Sequence, residues 1–108
     1  MKKNINLDEL LNNALGFIKD KDYDEAMAIY ERVLEEDSMH PQALSHLSII
    51  YLMKEKYTQV VDTIKKLLKV MPPIIGDYQN LALAYIALKD YENAINTYKN
   101  IIEINPNH

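Results

Sequence analysis

The 108-residue chain is long enough for one domain, and its 48% hydrophobic content is enough to fill a core. It has no cysteine, which excludes disulfides, thiolate nucleophiles and Cys-held metals and fits a cytoplasmic setting; no apolar run approaches the roughly 18 residues of a membrane span. The net charge of -4 is uneven: 5 basic and 10 acidic residues lie in 1–40, 5 and 2 in 41–74, and 2 and 4 in 75–108, a pattern without a nucleic-acid footprint.

From the N-terminus, Met1-Lys2-Lys3 is basic, but Asp8 and Glu9 break up the next segment before it becomes an apolar stretch, so a signal peptide is not expected. Lys21-Asp22 then precedes Ala26, Tyr30, Val33 and Leu34, an apolar stripe at helical spacing with Asp24 and Glu25 at its start, where a helix favours negative charge. Pro41 suits the first turn of the next helix, whose stripe is Leu44, Leu47, Ser48 and Tyr51. Val60, Ile64, Leu67 and Leu68 form the next stripe, and Pro72 marks its stop. The last two stripes are Tyr78, Leu81, Ala82, Tyr85 and Ala94, Tyr98, Ile101, Ile102, with Pro106 as the final stop.

These elements repeat. Tyr23, Tyr57 and Tyr91 are 34 residues apart, as are Phe17, Tyr51 and Tyr85, the small set Ala14, Ser48 and Ala82, and the apolar set Val33, Leu67 and Ile101. Ser38, Pro72 and Pro106 occupy the turn between units. The register gives units 7–40, 41–74 and 75–108, each an antiparallel helix pair, A then B, in a single domain over 1–108. Ala14 is expected to face Ala26 across an A/B crossing, and Ala82 to face Ala94, because small side chains allow close helix approach; the Ser48 and Val60 crossing is bulkier.

The 34-residue period, the two-helix unit and the small/aromatic/small/Pro pattern resemble the tetratricopeptide repeat family, best in Asp22-Tyr23-Asp24-Glu25-Ala26 with Tyr30. The chain departs from that family at Leu10, where an aromatic is common, at Ser38, where Pro is common, and at Val60, where Ala is usual. The resemblance implies an all-α superhelical solenoid, no shared catalytic residues and a concave groove lined by the A helices. Its inward positions would be Asp8, Leu11, Leu15, Ile18 and Lys19, then Gln42, Ser45, His46, Ile49, Leu52 and Met53, then Gly76, Gln79, Asn80, Leu83, Ile86 and Ala87. Of these, Leu15, Ile18, Gln42, His46, Ile49, Leu52, Met53, Gln79, Asn80, Leu83 and Ile86 are the candidate binding residues. The family's clamp for a partner's terminal carboxylate would fall on Leu11, Leu15, His46, Gly76 and Asn80, none of them Lys or Arg, so chaperone tails of that kind are not the expected ligands.

No constellation for chemistry is present in the sequence. His40, His46 and His108 lack metal-site spacing, and Asp20, Asp22 and Asp24 lack the rest of a calcium loop. Ser38, Ser45 and Ser48 have no base-and-orienter set. Lys54, Lys56, Lys65, Lys66 and Lys69 read as a solvated face. The expected role is therefore that of a scaffold or assembly chaperone that binds a protein or peptide, without cofactor, nucleic acid or membrane insertion. The alternative is self-assembly: Ile95, Tyr98 and Ile102 on the last B helix would lie bare unless further repeats or a second copy covered them.

Overall fold

The structure, a computed structural model, describes residues 6–105, and there each amphipathic segment is a helix. In chain order these are α1 (Leu7–Lys19), α2 (Tyr23–Glu36), α3 (Pro41–Met53), α4 (Tyr57–Val70), α5 (Ile75–Ala87) and α6 (Tyr91–Ile104). Local chemistry sets several of the ends. The Asn6 side chain accepts from the Glu9 N–H at 3.1 Å and starts α1. Pro41 is the first residue of α3, and the His40 imidazole accepts from the Ala43 N–H at 3.3 Å. Asp90 starts α6 by accepting from the Asn93 N–H at 3.4 Å. Pro72 comes directly after the C-cap of α4 at Met71, as its position implied; Pro106 and His108 lie outside the described residues.

The turn inside each pair is built the same way three times. Lys21, Glu55 and Lys89, spaced by 34 residues, adopt left-handed backbone with φ of 60°, 59° and 62°. The next N–H reaches back to the A helix: Asp22 donates to the Phe17 carbonyl at 2.7 Å, Lys56 to Tyr51 at 2.8 Å and Asp90 to Tyr85 at 2.8 Å. This closes the helix end in the manner usually given to glycine. Here non-glycine residues tolerate it, at a cost of about 1 kcal/mol each.

Each A helix packs most extensively on its own B helix, and each B helix packs on the next A helix; α3 and α5 also touch side by side. The result is an elongated stack of helices, 49 × 25 × 24 Å. The small residues expected at the crossings are buried: Ala14, Ala26 and Ala82 fully and Ala94 nearly so. Ser48 is buried with its hydroxyl donating to the Ser45 carbonyl at 2.8 Å, so the bulkier middle crossing leaves no polar atom of that serine unpaired. Tyr30, Val33, Leu44, Leu47, Ile50 and Ile64 complete the centre of the core. Neighbouring pairs are also tied at their surface. Lys54 on the C-cap of α3 pairs with Asp24 of α2, and the Tyr51 hydroxyl donates to the Glu31 carboxylate.

Candidate binding groove

The A helices present two parallel ladders of apolar side chains. Leu15, Ile49 and Leu83 hold equivalent places on α1, α3 and α5, and all are exposed, Leu83 by 51%. One helical turn on, Ile18, Leu52 and Ile86 form the second ladder. Ile86 is exposed; Ile18 and Leu52 are half-buried and lean on the core, so only part of each is offered to a ligand. Met53 is exposed beside Leu52. Gln42, His46 and Asn80 are half-buried and Gln79 is exposed, which gives the ladders a polar margin. Asp8, Lys19, Gly76 and Ala87 are exposed and Ser45 is half-buried. Leu11 does not belong to this surface. It is 7% exposed and part of the core cluster. The helical period placed it with Ser45 and Gln79, but an apolar side chain there gains by turning inward, whereas a polar one stays wet.

His46 sits differently from a free groove residue. Its ring stacks on the buried ring of Tyr30, with centroids 5.3 Å apart and planes 23° from parallel. Its Nδ1 is buried without a hydrogen-bond partner, and so is the Tyr30 hydroxyl. Burial raises the Tyr30 phenol above its ordinary value, because the phenolate would be stranded in an apolar surround. The imidazole is thus a wall held by packing.

That wall borders a cleft of about 400 Å³ between the start of α3, the end of α4 and the start of α5. Gln42, Ser45, His46 and Asp77 line its polar side; Leu67, Met71, Pro72 and Ile74 line the rest. Burial pushes the Asp77 carboxyl above its usual value. By sequence, Pro72 reads only as part of an inter-repeat turn, and Met71 and Ile74 beside it carry no reading. The available signal is the apolar run Val70-Met71-Pro72-Pro73-Ile74-Ile75, unusual for a turn, in which Met71 and Ile74 are exposed.

Among the described residues no group of three or more His, Cys, Asp or Glu side chains could hold a metal ion, and no helix is long and apolar enough to cross a membrane. The lysine face is partly paired: Lys54 with Asp24, and Lys66 with Asp62 at 3.3 Å. Ile95, Tyr98 and Ile102 lie apart from the groove, exposed along α6.

Known proteins share this architecture. The "TPR repeat-containing protein MJ1428" of Methanocaldococcus jannaschii is 32% identical over 94% of this chain, which spans 18% of that protein. Among solved structures, MamA AMB-1 superposes with a TM-score of 0.88 at 21% identity, over 96% of this chain and 57% of that one. The first TPR of Spaghetti (RPAP3), solved bound to an HSP90 peptide, superposes with a TM-score of 0.77 at 20% identity, over 94% of this chain and 81% of that one. A family model described as "Anaphase-promoting complex, cyclosome, subunit 3" matches residues 19–101. With three helix pairs in one 34-residue register and a family match over most of its length, the chain belongs to the tetratricopeptide repeat proteins, in the family that this model describes.

Proposed function

We propose that this chain is a binding module, a scaffold or assembly chaperone that holds an apolar helix or extended peptide against its A helices. The observation that carries this reading is the exposed ladder Leu15, Ile49 and Leu83, continued by Ile86 and Met53. Contiguous exposed apolar surface of this kind is more often a contact site than an accident. The peptide-bound Spaghetti domain, alike in fold, supports use of the fold to hold a peptide; its ligand, SRMEEVD, is acidic and differs from the apolar segment proposed here. The cleft beside His46 and Asp77 extends the surface and can seat one side chain of the ligand. No Lys or Arg stands on the ladders, so binding is expected to vary little with salt.

The test starts from a displayed peptide library selected on the 108-residue chain. One selected apolar peptide is then titrated calorimetrically against the parent and against the double variant Ile49→Ser, Leu83→Ser. Loss of two partly desolvated side chains is expected to weaken binding about tenfold or more, with helical circular dichroism unchanged. A selected peptide that binds both proteins equally would show that the A-helix face is not the binding surface.

A second reading rests on a different observation, the exposed isoleucines and tyrosines of α6. In this reading the chain also associates with itself through Ile95, Tyr98 and Ile102, as a homodimer.

A further inference from the structure

The repeat supplies an internal control for the cleft beside His46. Positions 34 residues apart hold the same place in successive units, so the junction that leads into α3 can be set against the one that leads into α5. The third residue of α3 is Ala43, fully buried; the third residue of α5 is Asp77, half-buried on the cleft wall. The linkers before them differ too. Asp37-Ser38-Met39-His40 is largely polar, and its His40 imidazole caps α3. Met71-Pro72-Pro73-Ile74 is apolar, and Ile74 gives α5 no side-chain cap. The second junction thus opens a cleft of about 400 Å³ with apolar walls and sets a carboxylate where its counterpart has a methyl group.

Asp77 is poorly compensated in that place. Burial raises its carboxyl, and neither ion pair among the described residues reaches it. It lies in the first turn of α5, where a helix favours negative charge, yet desolvation outweighs that benefit. A carboxylate in this condition gains from a cation that brings its own apolar stem.

The described helices around the cleft supply no such cation. α3 and α5 contain no Lys or Arg. On α4, Lys65 and Lys69 are exposed and stand two residues from Leu67, which puts them on the side of the helix away from the cleft. Lys66 pairs with Asp62, and Lys54 at the far end of α3 pairs with Asp24. A basic side chain from a partner fits what is missing. Its methylenes can lie along Met71, Pro72 and Ile74, its charge can meet Asp77, and its N–H groups find further acceptors in the Gln42 and Ser45 side chains. An apolar side chain would fill the same space but strip the remaining water from the carboxylate and return nothing. The cleft is also continuous with the groove, because Ser45 on its wall lies one helical turn before Ile49 on the ladder.

We propose that this cleft is the specificity pocket of the groove and takes a lysine or arginine of the bound segment, its charge paired with Asp77. This rests on the groove reading above and adds the chemistry of one ligand residue. The segment is apolar along the ladders and basic at one fixed place, over Ser45 and Asp77. A single half-enclosed pair is little screened, so the weak salt dependence expected of the groove is kept.

The experiment selects displayed random peptides on the 108-residue chain and, separately, on Asp77→Asn, with circular dichroism confirming that the variant is helical. Peptides selected on the parent are expected to share a Lys or Arg at a fixed spacing from their apolar residues, and those selected on Asp77→Asn to lack it. One parent-selected peptide, and its derivative with the basic residue replaced by Met, are then titrated calorimetrically. The Met peptide is expected to bind the parent about tenfold more weakly, a test that does not depend on the variant. Asp77→Asn is expected to weaken the basic peptide about tenfold and to leave the Met peptide unaffected or bound more tightly, the coupling that a direct pair produces. Glu36→Gln, which removes an exposed carboxylate outside the cleft, is expected to change neither. Selected peptides without a fixed basic residue, or equal binding of the basic and Met peptides, would overturn the pocket and leave the groove standing. A loss with Glu36→Gln as large as with Asp77→Asn would assign the effect to the acidic chain as a whole and also overturn the pocket. A basic peptide that depends on Asp77 but not on Ile49 and Leu83 would support the pocket and overturn the groove, and failure to select any peptide on the parent would overturn both.

Discussion

Tyr30 and Tyr98 occupy the same place in the first and third B helices, yet one is wholly buried and the other is 43% exposed. Nothing in their own helices makes that difference. The stripes around them are alike, with Ala26 and Val33 beside Tyr30 and Ala94 and Ile101 beside Tyr98. What differs is the next A helix, which puts His46 flat against the Tyr30 ring. In a solenoid, burial is a property of the neighbour, and residues equal in sequence are unequal in energy.

Substitution should make the inequality measurable. Tyr30→Ala removes a fully buried ring and is expected to cost about 3–5 kcal/mol, a large part of the stability of a domain of this size. Tyr98→Ala, measured below the concentration at which copies meet, is expected to cost about 1 kcal/mol or less. Urea midpoints at low protein concentration give both values, and equal costs would show that the covering A helix contributes nothing at this position.

The crossings between A and B helices offer a second contrast, of intermediate size. Ala26→Leu overpacks a fully buried crossing and is expected to cost about 1–3 kcal/mol. Ala28→Leu, two residues along on an exposed position, is expected to change stability by about 0.5 kcal/mol or less. Equal thermal melts for these two variants would show that the close approach at Ala14 and Ala26 is not what the small residues provide.

Smaller still, and opposite in sign, are two hydroxyl deletions. Tyr30→Phe removes a buried hydroxyl that has no partner and is expected to stabilise by about 1 kcal/mol. Tyr51→Phe removes the donor to Glu31 and is expected to destabilise by about the same amount or somewhat more. Chemical denaturation of both variants separates them, and a loss at Tyr30 would show that its hydroxyl has a partner after all.

The smallest effect near neutral pH comes from the tyrosines' ionisation, which matters only in alkali. Burial raises Tyr30 and Tyr51, the latter further through its bond to the Glu31 carboxylate, and burial with the nearby Asp90 raises Tyr85. For a phenol raised in the folded state, the unfolded chain ionises first. Stability is therefore full below the ordinary tyrosine range and falls as pH rises past about 10. Melting temperatures from pH 8 to 11 should decline, and the decline should shrink in Tyr51→Phe.

Much of the fold was legible because the period of 34 appears in side chains that are buried within or beside their own helix pair, such as Ala26, Val33, Ala82 and Ile101. Legibility failed where a residue's fate depends on a neighbour across space. Leu11 shares a helical position with Ser45 and Gln79 but joins the core. Met71 and Ile74 drew no reading beside the turn at Pro72 but wall a cleft with His46 and Asp77. The left-handed turns at Lys21, Glu55 and Lys89 carry no glycine to announce them.

The order of amino acids was enough to set the six helices, their pairing and the three-fold register, because amphipathic period and small-residue spacing act within one pair of helices. It was also enough to exclude metal or thiol chemistry built from cysteine. Packing in three dimensions settled which of the equivalent residues are buried, which lean on the core and which stand in solvent. Exposure is fixed by the next helix in the stack, so Tyr98 and Tyr30 diverge although their local sequences agree.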